Sequence, residues 1–286
     1  MPIWQEDTNF LHAIDGTRIF FRQWRQSQAQ GAVVLVHGLG EHSGRYDELV
    51  GVFLQAGLSV RIYDQRGHGR SEGARGSVRH GDDYLNDLKL VLDDFAAQEG
   101  VTPWLFGHSM GGLVAARFAT SGLSQVQGLI LSSPALALQM SAWQKILLAI
   151  STLIAPALAM PSSLPSQRLS HDNGAVQAYR ADALNHARVS ARVVNFMLDA
   201  MTQVQRDASV LSVPLLMQIA GDDAFVAPHG SRSFFARVTN ADKTFYCYEQ
   251  AYHEIFNEAP VYRRQAQHDL ASWLALHLPS SALPQG

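Results

Sequence analysis

Short apolar runs alternate with helical patterns along most of this chain, and this alternation restricts the fold more than any other feature. The runs are A-V-V-L-V-H, L-S-V-R-I-Y-D, P-W-L-F-G-H, G-L-I-L-S-S and V-P-L-L-M-Q-I-A. Runs that are apolar at nearly every position are typical of strands buried on both faces, as in a parallel sheet. Helices are predicted between them at 46–55, 81–98, 110–120, 229–238 and 262–277. The sequence therefore predicts an α/β fold with a mostly parallel central sheet flanked by helices.

An antiparallel hairpin is predicted at the N-terminal end of this pattern. The segments T-N-F-L-H-A-I and T-R-I-F-F-R-Q-W flank the pair Asp15-Gly16, and Asp-Gly between two apolar segments is a strong hairpin signal. One edge of the sheet is therefore expected to be antiparallel.

The alternation is interrupted between 134 and 210 by a helical segment that is rich in Ala and Leu. Because ligands of such sheets bind at the carboxyl ends of the strands, we interpret 134–210 as a helical cap, or lid, inserted into a core formed by 1–133 and 211–286. The cap contains the apolar stripe Leu147, Leu148, Ile150, Leu153, Ile154 and Leu158. Two interpretations of this stripe stay open: a lid face that contacts acyl chains or a membrane, or packing of the cap on the core.

Composition excludes several classes of protein. Hydrophobic residues make up 47% and charged residues 16% of the chain, as expected for a large buried core, and the net charge of -3 with no Lys/Arg cluster argues against a nucleic-acid partner. The single cysteine, Cys247, excludes an internal disulfide. The N-terminus lacks the basic and apolar regions of a signal peptide, which predicts a cytoplasmic protein. The longest apolar stretch, 146–160, is interrupted by polar residues and proline and is shorter than the about 20 residues of a membrane span.

The strongest chemical motif is G-H-S-M-G at 107–111. It follows the apolar run P-W-L-F and precedes the helical pattern G-L-V-A-A-R-F-A, which is the setting of a nucleophile elbow. In such an elbow a sharp turn presents the serine, here Ser109, while Gly107 and Gly111 leave room for neighbouring backbone and His108 fills the variable position. Ser109 is therefore predicted to be a nucleophile.

A serine hydroxyl needs a base and an orienting carboxylate, which in this setting follow in the order Ser, Asp, His. The segment G-D-D-A-F-V-A-P follows the run P-L-L-M-Q-I-A and offers Asp222 or Asp223 at the end of a strand. The segment Q-A-Y-H-E-I-F-N-E places His253 in the loop before the C-terminal helix. Either aspartate satisfies the order.

An oxyanion hole is the remaining requirement of serine chemistry. One backbone N–H is expected from Met110, the residue after the nucleophile, and the other from a loop that follows an early strand. The loop H-G-L-G-E-H at 37–42 has that position, with Leu39 as the expected donor and two glycines that allow close backbone approach. The flanking His37 and His42 are expected to orient the loop rather than to react.

Together these stretches resemble the monoacylglycerol lipase and lysophospholipase group of α/β-hydrolases, which is related to the serine aminopeptidases of the S33 type. The matching segments are H-G-L-G-E-H-S-G-R-Y, Y-D-Q-R-G-H-G-R-S-E-G, G-H-S-M-G-G, G-D-D-A-F-V-A-P-H-G-S and Y-H-E-I-F-N-E. The resemblance implies the α/β-hydrolase fold, the triad Ser109, Asp223 and His253, and the donors Leu39 and Met110. It favours Asp223 over Asp222, although Gly221 is followed at once by the two aspartates where the family more usually has Gly-x-x-Asp.

The predicted function is hydrolysis of a lipid-like carboxylic ester through an acyl-enzyme, with no metal or other cofactor. Amide or peptide hydrolysis, or acyl transfer, by the same triad stays open, as does a non-catalytic ligand-binding protein of the same fold. Peripheral membrane contact through the cap is an expectation, and the sequence does not predict the oligomeric state. The polar residues Asp64, Arg66, His68 and Arg70 are expected to tie a strand-end loop to neighbouring backbone rather than to bind substrate.

Overall fold

The computed structural model describes residues 4–138, 140–162 and 165–279. The outermost residues of the predicted core, 1–3 and 280–286, and positions 139, 163 and 164 of the predicted cap lie outside the described residues. The strands are β1 (Glu6–His12), β2 (Arg18–Trp24), β3 (Gly31–Val36), β4 (Leu58–Tyr63), β5 (Trp104–His108), β6 (Leu129–Ser132), β7 (Ala159–Pro161), β8 (Arg188–Ser190), β9 (Leu215–Ala220) and β10 (Lys243–Tyr248).

Eight of these strands form one sheet in the order β1-β2-β4-β3-β5-β6-β9-β10. The hairpin partners β1 and β2 are antiparallel, and β2 is antiparallel to β4. All further neighbours in the sheet pair in parallel. Both the antiparallel edge and the mostly parallel centre are confirmed.

Two helical layers cover the sheet. The helices are α1 (Asp47–Gln55), α2 (Asp83–Glu99), α3 (Ser109–Ser121), α4 (Ala142–Ile154), α5 (Asn173–Ala181), α6 (Ala191–Asp207), α7 (Pro228–Arg237) and α8 (Pro260–His277). Side chains of α1 and α8 share one apolar cluster with Val33 and Leu35 of β3. A second apolar cluster contains Val34 and Val36 together with side chains of α2, α3, α6 and α7. Alternate residues of a buried strand thus enter opposite layers, which explains why its sequence is continuously apolar.

The segment between β6 and β9 holds α4, β7, α5, β8 and α6. Helix α6 packs against α3. Its residues Phe196, Met197 and Val204 belong to the apolar cluster that contains Val34 and Val36. Helix α4 has no buried residue. The division into core and cap therefore stays a prediction, but only part of the predicted cap lies away from the core.

Most of the apolar stripe of the predicted cap is exposed in this structure, and Leu148 is half-buried. Leu153 is 86% and Ile154 76% exposed, and Trp143, Ile146 and Leu158 are also largely exposed. Packing on the core does not account for these side chains. None of the helices in the described ranges has the length and hydropathy that a bilayer crossing requires.

Candidate active site

The nucleophile elbow lies at the junction of β5 and α3. Ser109 is the first residue of α3 and has φ of 54°, in the left-handed region that side chains other than glycine rarely adopt. A Cβ added at Gly111 would lie 2.3 Å from the carbonyl oxygens of Val36 and His37. Only glycine therefore allows the elbow to pack against the end of β3, and the half-buried Ser109 side chain is presented at that edge.

Two further loops bring an imidazole and a carboxylate to Ser109. The Nε2 atom of His253 lies 2.9 Å from Ser109 Oγ, and His253 Nδ1 lies 2.6 Å from Asp223 Oδ2. Asp223 Oδ1 accepts hydrogen bonds from the N–H groups of Phe225 and Val226. The Phe225 ring stacks on the imidazole with centroids 4.8 Å apart. These contacts hold both side chains in one orientation.

The electrostatic setting shifts the pKa values of this pair in opposite directions. Burial by itself lowers the pKa of His253, but the nearby carboxylates, above all Asp223, raise it above its ordinary value. Burial by itself raises the pKa of Asp223, but the imidazolium and three hydrogen bonds outweigh burial and lower it. The arrangement favours an ionised Asp223 that stabilises a protonated His253.

His108, the variable residue of the elbow, lies beside the imidazole of His253 with ring centroids 4.9 Å apart. Its Nδ1 is 3.1 Å from both the carbonyl oxygen and the hydroxyl of Ser132. Burial, reinforced by the charge of His253, lowers the pKa of His108 to about 4. His108 is therefore neutral near neutral pH and adds no positive charge next to the base.

The expected oxyanion donors flank Ser109. A Cβ added at Gly38 would lie 3.2 Å from Ser109 Cβ, so the loop that carries Leu39 passes close to the nucleophile. Met110 is fully buried in the first turn of α3, where helical N–H groups have no acceptor within the helix and favour an anion. Leu39 and Met110 remain the expected donors.

The neighbouring aspartate has a different environment. Asp222 Oδ1 lies 2.5 Å from Arg168 Nη2, and its side chain is 53% exposed. Asp223 is 1% exposed. Of the two carboxylates that the sequence offered, the structure brings Asp223 to His253.

The polar side chains of the loop after β4 have partners within the fold. Asp64 accepts from the N–H groups of Ser43 and Arg70, and Arg66 binds Asp87 through two nitrogens. The imidazole of His68 donates to the carbonyl of Arg66. Asp64 and His68 therefore hold backbone, as expected, whereas Arg66 pairs with a carboxylate of α2 and the Arg70 guanidinium lies over the Phe20 ring.

The histidines on either side of the oxyanion loop also orient backbone. His37 donates from Nδ1 to the Gly38 carbonyl, and its Nε2 accepts from the N–H of Gln65. His42 accepts from Gly44 N–H at Nδ1 and donates from Nε2 to Asp182 of the predicted cap. A second bond from that region, His186 N–H to the carbonyl of Gly40, lies at the same loop.

A buried charged group at the site was not anticipated from the sequence. Arg45 lies between Glu41 and Glu254, and all three side chains are at most 10% exposed. The spacing of four residues between Glu41 and Arg45 is a local signal for an ion pair. The partnership with Glu254 had no such signal. Within the described ranges no group of three or more His, Cys, Asp or Glu side chains is arranged to hold a metal ion.

The model of the serine aminopeptidase S33 family matches residues 27–260. That range contains the elbow, both aspartates and His253. The chain belongs to this family.

Individual relatives agree with this assignment. The chain is 30% identical to a monoacylglycerol lipase of Mycolicibacterium smegmatis, covering 93% of this chain and 95% of that protein. It is 32% identical to the human monoglyceride lipase, with 94% and 91% covered. The crystal structure of a monoacylglycerol lipase from Paleococcus ferrophilus superposes with a TM-score of 0.80 at 31% identity, covering 96% and 99%. The predicted α/β-hydrolase fold and the prediction of a serine ester hydrolase are confirmed at the level of the family.

Proposed function

We propose that this protein hydrolyses carboxylic esters of single-chain lipids, such as monoacylglycerols and lysophospholipids. In this proposal Ser109 is the nucleophile, His253 the general base and acid, and Asp223 the orienting carboxylate. The observation that carries the proposal is the continuous hydrogen-bonded chain Ser109–His253–Asp223 at the elbow.

The proposed reaction has two halves. His253 Nε2 takes the proton of Ser109 Oγ as the oxygen attacks the ester carbonyl, and the N–H groups of Leu39 and Met110 stabilise the oxyanion. His253 then protonates the leaving alcohol, which leaves an acyl-enzyme. Water activated by His253 attacks the acyl group and regenerates Ser109.

A lipid-like substrate is supported by the relatives and by the cap. The similar proteins are named monoacylglycerol or monoglyceride lipases. A peptide substrate with a free ammonium group would favour an unpaired acidic side chain in the cap. Three of the four acidic residues of the predicted cap are engaged by this chain: Asp172 caps α5, Asp182 binds His42 and Asp207 pairs with Arg206. The fourth, Asp199, is exposed on α6. Amide hydrolysis or acyl transfer by the same triad is the alternative, and a non-catalytic binding role would leave the assembled triad unexplained.

Contact with a membrane surface is part of the same proposal. Helix α4 presents Trp143, Ile146, Leu153 and Ile154 to solvent, and its only charged residue is Lys145. An exposed apolar helix face with a cationic residue is suited to the interface of a bilayer that contains anionic lipid. The protein would then be a cytoplasmic enzyme that binds membranes peripherally.

The test is hydrolysis of p-nitrophenyl esters of graded chain length and of a monoacylglycerol by the wild type and by Ser109→Ala. We expect turnover by the wild type and its loss in a folded Ser109→Ala variant, and the chain-length optimum would measure the acyl site. A folded wild type that cleaves none of these esters but cleaves an amide would replace this proposal by the alternative. Ester turnover that survives in Ser109→Ala would exclude the assigned nucleophile.

A further inference from the structure

Arg45 joins three parts of the site. Its Nη1 lies 2.6 Å from Glu41 Oε2 and 2.7 Å from Glu254 Oε1, and its Nη2 lies 2.6 Å from Glu254 Oε2. The guanidinium also stacks on the ring of Tyr179 in α5, 4.7 Å from the ring centroid. We call Glu41, Arg45 and Glu254 the Arg45 bridge.

One end of the Arg45 bridge reaches the oxyanion loop. Glu41 Oε1 accepts hydrogen bonds from the N–H of Gly38, at 2.6 Å, and from the hydroxyl of Tyr46, at 2.7 Å. Gly38 lies beside Ser109, 3.2 Å being the distance from an added Cβ to Ser109 Cβ, and precedes Leu39, the expected oxyanion donor. A shift of the Glu41 carboxylate would therefore move the backbone that faces the oxyanion.

The other end reaches the base. Glu254 follows His253 directly in the chain, and its backbone N–H is bonded to the carbonyl of Leu169. Both carboxylate oxygens of Glu254 are held by the guanidinium of Arg45. A bidentate pair of this kind fixes orientation as well as distance.

We propose that Glu41, Arg45 and Glu254 are positioning residues that hold the oxyanion loop and the histidine loop in register for ester hydrolysis. This inference rests on the proposed function. Burying three charges is costly unless the geometry is close to ideal, and the register of two catalytic loops gives such a bridge a purpose beyond stability.

The bridge also affects the charge around the base. It combines two carboxylates with one guanidinium, so it adds net negative charge on one side of His253. The other groups facing the imidazole are Asp223, the neutral ring of His108, and the uncharged Phe225 and Ser109. Glu254 and Glu41 both act with Asp223 to raise the pKa of His253 against the effect of burial. Loss of the Glu254 charge should therefore lower that pKa.

Two variants separate orientation from charge. Glu254→Gln keeps the shape but removes the charge. Arg45→Lys keeps the charge but loses the planar fork that binds both carboxylates at once. For each we expect kcat to fall about 10- to 100-fold through misplaced catalytic groups, with little change in KM. The pKa of the His253 imidazole, measured by NMR titration, should fall in Glu254→Gln and stay near the wild-type value in Arg45→Lys.

The matched control is Asp94→Asn, which removes a carboxylate from another buried arginine, Arg61, whose guanidinium lies 2.6 Å from Asp94. This variant should lose stability without a change in kcat or in the pKa of His253. Wild-type kcat in folded Glu254→Gln and Arg45→Lys would overturn the inference, and so would a wild-type pKa of His253 in Glu254→Gln. If Glu254→Gln does not fold, kcat of Arg45→Lys within twofold of wild type decides against it. The NMR titration needs no substrate, so it tests the bridge even if the proposed ester activity fails.

Discussion

The Nε2 atom of His253 lies 2.9 Å from the Oγ of Ser109, although the two residues are 144 positions apart in the chain. The distance is short because both residues follow parallel strands, and such strands bring their carboxyl ends to the same edge of the sheet. Asp223 arrives at that edge from β9, between β6 and β10 in the sheet.

The two adjacent aspartates should differ sharply in their effect on activity. Asp223→Asn is expected to lower kcat about 10,000-fold, because the amide no longer holds the correct tautomer of His253 or stabilises its imidazolium. Asp222→Asn removes only an exposed pair with Arg168, a type of contact that contributes about 0–1 kcal/mol, and kcat should stay near wild type. Steady-state kinetics on a short ester tests both. Equal losses in the two variants would contradict the assignment.

Activity should rise with pH through the pKa of His253. The base acts in its neutral form, and its pKa is raised by Asp223 and the nearby glutamates, so the midpoint of kcat/KM should lie above the ordinary histidine value of about 6.5. Activity is lost as the pH falls through that midpoint. His108, with a pKa of about 4, should add no second midpoint near neutrality. A midpoint below 6.5 would contradict this electrostatic account.

Gly38→Ala should impair catalysis through the oxyanion loop. The added Cβ would lie 2.8 Å from Glu41 Oε1 and 3.2 Å from Ser109 Cβ, so the loop must shift. A loss of about 10- to 100-fold in kcat is expected from this displacement. The control is Gly51→Ala inside α1, whose Cβ would have no closer neighbour than 4.0 Å. Gly51→Ala should stabilise the fold by about 0.5–1 kcal/mol and leave kcat unchanged, as thermal denaturation and the same assay can establish.

A charge on the exposed face of α4 should separate interfacial from soluble substrates. Leu153→Glu is expected to weaken binding to vesicles that contain anionic lipid and to reduce hydrolysis of a long-chain monoacylglycerol in them. Hydrolysis of a short, water-soluble ester should not change. Leu276→Glu is the control, because Leu276 on α8 is 83% exposed but lies outside the predicted cap. Equal effects of the two substitutions in a vesicle sedimentation assay would argue against membrane contact through α4.

The central sheet could be predicted from the sequence because its strands are buried on both faces. A run such as A-V-V-L-V leaves few other structures, and the Asp15-Gly16 pair identified the hairpin. The expected positions of Ser109 and His253 followed from the elbow and from the order of the loops. The choice of Asp223 depended on resemblance, since two adjacent aspartates at the end of a strand are equivalent until the loop geometry directs one inward.

The remaining features depend on tertiary structure. Arg45 and Glu254 are 209 positions apart, and no periodicity connects two residues in separate loops. The exposure of α4 was equally unreadable, because an apolar stripe has the same spacing whether it packs on a core or faces solvent. Such a stripe specifies that a face is apolar and leaves its contact to the rest of the fold.

The hydrogen bonds from His186 to Gly40 and between Asp182 and His42 have a consequence for enzyme engineering. Exchanging the segment between β6 and β9 for that of another member of the family would remove both anchors from the loop that carries Leu39. A chimera made to acquire a new chain-length preference would then lose rate as well as change selectivity. If the loop at 37–46 were transplanted together with the new segment, chain-length selectivity could be changed without a loss of rate.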